Sequence, residues 1–268
     1  MDEIIESRCC ICGTVKNCGK YLERVLKNIE IIGALFSSFK IIISYDVSSD
    51  NSLEILQKYQ QLHPLQMVLH VNAEPLHEYR VYNIAKARNK CLDTIRQEFS
   101  TYEYFIMMDC DDKCSYNINL GIFNNYLINN NNTWDSLSFN HPEGYYDLWA
   151  LSKRPYVVSC HNIKNINDMS LHIEEIIKKT SKNDLIQCFS AFNGFAIYKT
   201  NKFINCCYDG TFRLDYIPKK LLIENIKAAG KINLSNNNED CEHRHFHFQA
   251  VFKNNAKIMI SPLCLFFK

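Results

Sequence analysis

Short apolar runs recur along the first half of the chain, each followed by polar residues. They cover residues 7–13, 39–45, 67–71 and 104–108. The run 39–45 is apolar almost throughout and β-branched at its centre, which is typical of a parallel strand covered on both faces. We therefore predict four buried strands in this half.

Between these runs, apolar residues recur at helical spacing. The segments cover residues 20–32, 53–59 and 81–96, so that helices alternate with the predicted strands. Strands and helices that alternate in this way form βαβ units on a parallel sheet. The sequence therefore predicts an α/β fold with a twisted, mostly parallel central sheet and helices on both faces.

The second half is less regular. Helical patterns cover residues 174–179 and 218–229, and strand patterns cover residues 194–199 and 258–260. The sequence has no internal repeat, and no linker rich in Pro, Gly or Ser separates the halves. We therefore predict one domain over residues 1–268.

Three histidines alternate with other residues near the end of the chain. His243, His245 and His247 would share one face of a strand, and we predict a strand over residues 243–248. The histidines would then either be metal ligands or form a polar face, hydrogen-bonded to one another or to water.

Composition excludes several classes of protein. With 268 residues, 47% of them hydrophobic, the chain can bury a sizeable core. A net charge of +1 argues against a nucleic-acid surface. The best apolar run, residues 29–36, is far shorter than the ~20 residues of a membrane span, and the N-terminus is acidic. We predict no nucleic-acid partner, no membrane span or signal peptide, and a cytoplasmic location.

The 13 cysteines point to reduced thiols, because they are odd in number and accompany no export signal. The Cys-x-x-Cys spacing at residues 9–12 is that of a zinc site. It lies within a predicted strand, however, where alternate side chains diverge, so we interpret these residues as buried thiols.

Carboxylates follow the strand at residues 104–108 directly: Asp109, Asp111 and Asp112. Ligand sites in open α/β sheets lie just beyond the carboxyl ends of strands. Clustered oxygens suit Mg²⁺ or Mn²⁺, which can neutralise a diphosphate and stabilise its departure. A solvated loop with helix-capping aspartates is the alternative.

Two further motifs are predicted near the same edge of the sheet. One aspartate of the loop at 46–52, which follows the strand at 39–45, could accept an N–H from the imide of uracil or guanine, whereas Asp50 or Ser52 would cap the next helix. Arg88 and Asn89, on the helix at 81–96, would face the crevice or remain solvated.

Together these motifs resemble the inverting family 2 glycosyltransferases of GT-A fold. An Asp-x-Ser-x-Asp loop at 46–50, Ala-Arg-Asn at 87–89 and an apolar strand ending in Asp-x-Asp-Asp at 109–112 follow the family's order. The similar stretch covers residues 9–114.

The resemblance implies the role of each matched residue. Thr14 and Asp46 would contact the base of a nucleotide sugar, Arg88 would lie near the nucleotide, and Asp109 near the ribose. Asp111 would hold Mn²⁺ or Mg²⁺ on the diphosphate. Residues 1–130 would bind the nucleotide sugar and residues 131–268 the acceptor.

The second half is similar to the fungal capsule-associated α-mannosyltransferases. The matching segments are residues 146–151, 189–198 and 241–243, and Arg80 fits the same group as a further nucleotide-sugar ligand. The chain departs from that pattern at Asn193, where the family has Gly. This resemblance makes GDP-mannose the alternative donor to a UDP-sugar.

The GT-A resemblance also implies a site joining the two halves. A late His completes the metal shell in many such enzymes, which points to His243 beside Asp111. An inverting transferase, which the first half resembles, needs a carboxylate base at the acceptor hydroxyl, and Glu242 and Asp240 lie where family 2 enzymes place one. A retaining transferase, which the second half resembles, needs no such base. We predict that this segment lies beside residues 109–112.

The resulting hypothesis is a metal-dependent hexosyltransferase. It would move a sugar from a nucleoside diphosphate sugar to a hydroxyl of a glycan or protein. Two other classes stay open. One is a haloacid-dehalogenase-type phosphatase, which also places Asp-x-Asp after an apolar strand, and the other is a non-catalytic carbohydrate-binding protein on a degenerate transferase fold.

Overall fold

A computed structural model describes residues 5–162, 166–230, 232 and 238–268. The strands are β1 (Ile5–Val15), β2 (Phe36–Tyr45), β3 (Met67–Val71), β4 (Tyr104–Asp109), β5 (Asn117–Ile118), β6 (Ser136–Asn140), β7 (Ile186–Cys188), β8 (Phe195–Lys199), β9 (Ile258–Cys264) and β10 (Phe266–Phe267). The helices are α1 (Gly19–Gly33), α2 (Ser52–Leu62), α3 (Arg80–Glu98), α4 (Leu120–Ile128), α5 (Ile166–Lys179), α6 (Thr200–Phe203), α7 (Lys219–Ala229) and α8 (Glu242–Asn254).

Strands from both halves of the chain form one sheet, in the order β3-β2-β1-β4-β8-β6-β9-β7. The first four pair in parallel, as does β6 with β9, whereas β8 is antiparallel to β4 and β6. The predicted α/β fold with a mainly parallel sheet is confirmed. The division of roles at residue 130 stays a prediction.

Alternate side chains of the central strands enter two apolar layers. Cys10 and Cys12 of β1 pack with α3 and α8, whereas Cys9 and Ile11 pack with α1, α2 and α4. The interpretation of residues 9–12 as buried thiols is confirmed, since Cys9 and Cys12 are fully buried on opposite faces and all thirteen cysteines are free.

The predicted strand over residues 243–248 is wrong, because these residues lie in α8. Every residue from Glu242 to Phe248 is buried, so this part of the helix has no polar face from which helical periodicity could be recognised. His243 and His247 lie one turn apart with stacked rings, whereas His245 contacts Tyr216. The histidines therefore do not share one face.

The helices within the ranges given above lack the combination of length and hydropathy that a membrane span requires.

Candidate active site

A cleft of about 700 Å³ opens at the carboxyl ends of the parallel strands. The strand register explains why separate motifs meet there. Thr14 of β1 pairs with Asp109 of β4, and the backbone N–H of Asp46, after β2, donates to the carbonyl of Val15. Eight of the nine predicted site residues line the cleft: Thr14, Asp46, Arg80, Arg88, Asp109, Asp111, Glu242 and His243.

The two aspartates of the loop after β2 have different positions and partners. The side chain of Asp46 lines the cleft and accepts a hydrogen bond of 2.9 Å from the Asn72 amide. Asp50 instead accepts from the backbone N–H of Gly19, at the start of α1, and from that of Ser52, at the start of α2. The capping alternative therefore holds for Asp50, while Asp46 faces the cleft.

Arg88 lies at the floor of the cleft, where it is only 4% exposed. Its Nη2 donates to Asp109 at 2.9 Å, and its Nη1 is in direct contact with Glu242 and His243. Burial by itself lowers the pKa of the guanidinium, but Glu242 and Asp109 outweigh it and the net pKa is raised. Arg88 is thus a permanent cation between two carboxylates.

Ionisation of the two aspartates at the end of β4, Asp109 and Asp111, is disfavoured even with Arg88 nearby. Loss of solvent raises the pKa of Asp109 to about 8, against the opposing effect of Arg88, and Asp111 adds to the rise. Loss of solvent also raises the pKa of Asp111. A cleft of this kind favours a bound cation or a shared proton.

The donor set fits a metal that arrives with a diphosphate. Within the part of the chain that the structure describes, no group of three or more His, Cys, Asp or Glu side chains converges on one point. Mg²⁺ is commonly held by one or two carboxylates with substrate phosphates completing the shell. Asp111, partly exposed at the strand end and free of an ion pair among the described residues, is the side chain best suited to that role.

His243 does not fit as a metal ligand in this arrangement. Its Nε2 is in contact with Arg88, whose positive charge opposes a second cation there, and its ring stacks on Phe192 at 3.8 Å. Burial, with a contribution from Arg88, holds the pKa of His243 well below its usual value, so the ring is neutral. We interpret His243 as a packed, neutral partner of Arg88.

Asp240 is the predicted site residue that the fold does not bring to the cleft. It is 1% exposed, and its carboxylate accepts from Arg244 at 2.9 Å and from the backbone N–H of Cys241 at 2.7 Å. Arg244 donates further to the carbonyl of Leu151 at 3.0 Å. The catalytic role predicted for Asp240 is therefore replaced by a structural one, in which it orients Arg244 beneath the 146–151 segment.

That segment forms a wall of the cleft. Tyr146, Asp147 and Trp149 line it, together with Phe192. Asp147 and Asn193 hold each other, because the Asn193 amide oxygen accepts from the backbone N–H of Asp147 at 3.1 Å and the Asp147 carboxylate accepts from that of Asn193 at 3.3 Å. In the sequence, the signal for Asp147 was that it is the acidic residue of the 146–151 segment, which resembles the α-mannosyltransferases.

Comparison with known proteins identifies the fold independently. The model of the family described as "Glycosyl transferase family 2" matches residues 10–207, well over half of the chain. No curated protein sequence matches the chain.

Several solved structures are similar to it. Residues 1–349 of S. aureus TarS in complex with UDP-GlcNAc match with a TM-score of 0.50 and 15% identity over 97% of this chain and 58% of that one. The UDP complex of the same protein matches with a TM-score of 0.49 and 17% identity over 97% of this chain and 60% of that one. The mannosyltransferase PcManGT from Pyrobaculum calidifontis, in complex with GDP-Man and Mn²⁺, matches with a TM-score of 0.40 and 16% identity over 74% of this chain and 46% of that one. The chain spans three fifths or less of the length of these proteins, and at such identities the likeness shows the fold alone.

Proposed function

Since the chain belongs to glycosyl transferase family 2, we propose that it transfers a sugar from a nucleoside diphosphate sugar to a hydroxyl group of a glycan or protein. The observation that carries the proposal is the cleft, which is lined by the carboxylate that follows β2, a buried arginine and a strand-end aspartate. Family membership contradicts the phosphatase alternative.

The first half of the chain would bind the donor. Asp46 would accept the imide N–H of the base, with Thr14 beside it, and Asp109 would accept from the ribose hydroxyls. Arg80, exposed at the start of α3, would reach the phosphates. We propose a UDP-sugar as donor and GDP-mannose as the alternative. TarS, which shares the fold, was solved with UDP-GlcNAc, so that compound is the first donor to test.

Asp111 would hold Mn²⁺ or Mg²⁺ together with the diphosphate. When bound, such a cation neutralises the charge that develops on the leaving group. Arg88 contributes a second, fixed positive charge at the floor of the cleft, and Glu242 orients it. The sugar would then be held between this floor and the wall formed by residues 146–151.

Calorimetry with UDP, GDP and Mn²⁺ tests the proposal. We expect UDP to bind more tightly with Mn²⁺ than without it, and the purified protein to release UDP from UDP-GlcNAc or another UDP-sugar. Preference for GDP, with release from GDP-mannose, would replace the donor and keep the reaction class. Failure to bind either nucleotide would contradict the transferase and favour the non-catalytic carbohydrate-binding alternative.

A further inference from the structure

The carboxylates of the cleft differ in what they contact. Asp109 and Glu242 share the positive charge of Arg88, and Asp46 accepts from Asn72. Asp147, in the wall formed by residues 146–151, forms no ion pair with any of the residues described. It is therefore a carboxylate of the second half that faces the cleft without a cationic partner.

Two backbone donors hold Asp147 in place. Its Oδ1 accepts from the N–H of Ala150 at 3.2 Å and its Oδ2 from that of Asn193 at 3.3 Å. Asn193 has a left-handed backbone, with φ of 56°, and its amide nitrogen donates to the carbonyl of Phe139 at 2.9 Å. The carboxylate is thus anchored, through Asn193, to β6 of the central sheet.

We propose that Asp147 is the general base of the reaction. Its carboxylate takes the proton of the acceptor hydroxyl while the hydroxyl oxygen forms a bond to the anomeric carbon of the donor sugar. The bond from that carbon to the diphosphate oxygen breaks, and its electron pair leaves with the nucleoside diphosphate. The assignment rests on the proposed function and makes the reaction an inverting one.

Glu242 is poorly suited to the same task. It is 4% exposed, and its carboxylate is in direct contact with Arg88, so it presents little surface to an acceptor hydroxyl. Asp147 is partly exposed to the cleft. A base must reach the proton that it abstracts, and Asp147 meets this condition better than Glu242.

The charged groups around Asp147 support this role. Arg88 faces it from α3, Glu242 from α8 and Asp109 from the end of β4, while Tyr145 and Cys241 nearby are neutral. Loss of solvent raises the pKa of Asp147 to about 6 and Glu242 adds to the rise, whereas the backbone N–H of Ala150 and the positive charge of Arg88 oppose it. A carboxylate with that pKa is ionised at neutral pH and still holds a proton well.

The test is UDP release from UDP-GlcNAc, or from the nucleotide sugar that the wild type uses, with water as the acceptor. Asp147→Asn keeps an oxygen for the N–H of Ala150 but cannot take up a proton. We expect its rate to fall about 10²–10⁴-fold with UDP binding unchanged within twofold. The wild-type rate should decline below about pH 6, and the variant should lack that decline. Asp147→Glu should recover part of the rate, and Asp168→Asn, which changes an exposed carboxylate of α5, should behave as wild type.

Other outcomes separate the two proposals. An Asp147→Asn variant with the wild-type rate and pH profile would overturn the assignment of the base and leave the transferase intact. UDP binding without any UDP release by the wild type would also count against it, because a base at this position activates water as well. If Asp147→Asn fails to fold, Asp147→Ser, whose hydroxyl can accept from Ala150, provides the same comparison. A protein that binds no nucleotide fails the proposed function instead.

Discussion

Arg88 and Glu242 are 154 residues apart in the sequence and in direct contact at the floor of the cleft. Each side chain is 5% exposed. The same guanidinium also binds Asp109, so a single residue of α3 connects the end of β4 with the start of α8. The two halves of the site are therefore held in register by one buried cation.

Arg88→Ala should destabilise the protein as well as weaken nucleotide binding. Removing one partner of a buried ion pair leaves an uncompensated charge and typically costs about 3–5 kcal/mol of unfolding free energy. Urea denaturation measures this. The control is Lys86→Ala, on the same helix as Arg88. It removes an exposed ion pair with Glu74 and should change stability little. An Arg88→Ala variant as stable as the control would show that the pair does not hold the halves together.

Asp111→Asn should weaken metal-dependent nucleotide binding about 10–100-fold, as ligand and near-ligand losses usually do. Binding measured without metal should change much less, because the base and ribose contacts remain. The matched control is Asp112→Asn, which changes the neighbouring carboxylate, an aspartate weakly paired with Lys113 at 3.9 Å. Equal losses in both variants would argue for a general charge effect and against a metal ligand at Asp111.

Asp46→Asn should weaken UDP binding about 10–100-fold, because a hydrogen bond to a charged group contributes about 1.5–3 kcal/mol. The titration is done by calorimetry at saturating Mn²⁺. Asp50→Asn is the control in the same loop, since Asp50 caps α1 and α2 and should affect stability more than affinity. Unchanged affinity in Asp46→Asn would remove the base contact from the proposed donor site.

Gly194→Ala should be more damaging than Gly144→Ala. Both glycines have positive φ, 83° and 94°, so alanine is strained at either position by about 1–2 kcal/mol. At Gly194 an added Cβ would also lie 2.2 Å from the Tyr146 hydroxyl, whereas at Gly144 it meets nothing within 4 Å. Thermal unfolding and UDP release compare the two. Similar effects on both would mean that the Tyr146 contact is unimportant.

His247 should make the protein sensitive to acid. Burial lowers its pKa from 6.5 to about 3, so the unfolded chain takes up a proton as the pH falls through 6.5 while the folded chain does not. This contribution to stability is complete above pH 6.5 and declines towards pH 3, at up to about 1.4 kcal/mol per pH unit. His247→Gln should show a shallower decline in urea denaturation over that window.

The control for acid sensitivity is His63→Gln, which changes an exposed histidine. Its stability should follow the wild-type dependence on pH. A His247→Gln variant with an unchanged decline would show that other groups cause the loss of stability in acid.

Local sequence was sufficient for most of the sheet. The predicted limits of β3, residues 67–71, agree with the structure, and the apolar run at 39–45 lies within β2. A strand buried on both faces must be apolar along its length, so its own residues reveal it. The carboxylates that follow β4 were predictable in the same way, because parallel strands end at one edge and ligand sites lie beyond it.

Local sequence was insufficient where every side of an element is buried. Residues 242–248 of α8 have no solvent face, so the polar and apolar residues of this segment do not mark an exposed and a buried side of the helix. The alternation of three histidines therefore suggested a strand, and only packing against the sheet decided in favour of a helix.

The roles of the acidic residues near α8 depended on the tertiary structure for a further reason. Asp240 and Glu242 are two positions apart and chemically alike, yet one binds Arg244 beneath the wall and the other binds Arg88 in the cleft. Asp147, by contrast, forms no ion pair with an arginine among the residues described, and nothing in its own segment of the sequence predicts this difference. The partners come from distant parts of the chain, so charge neutralisation in the cleft was decided by the fold and not by local sequence.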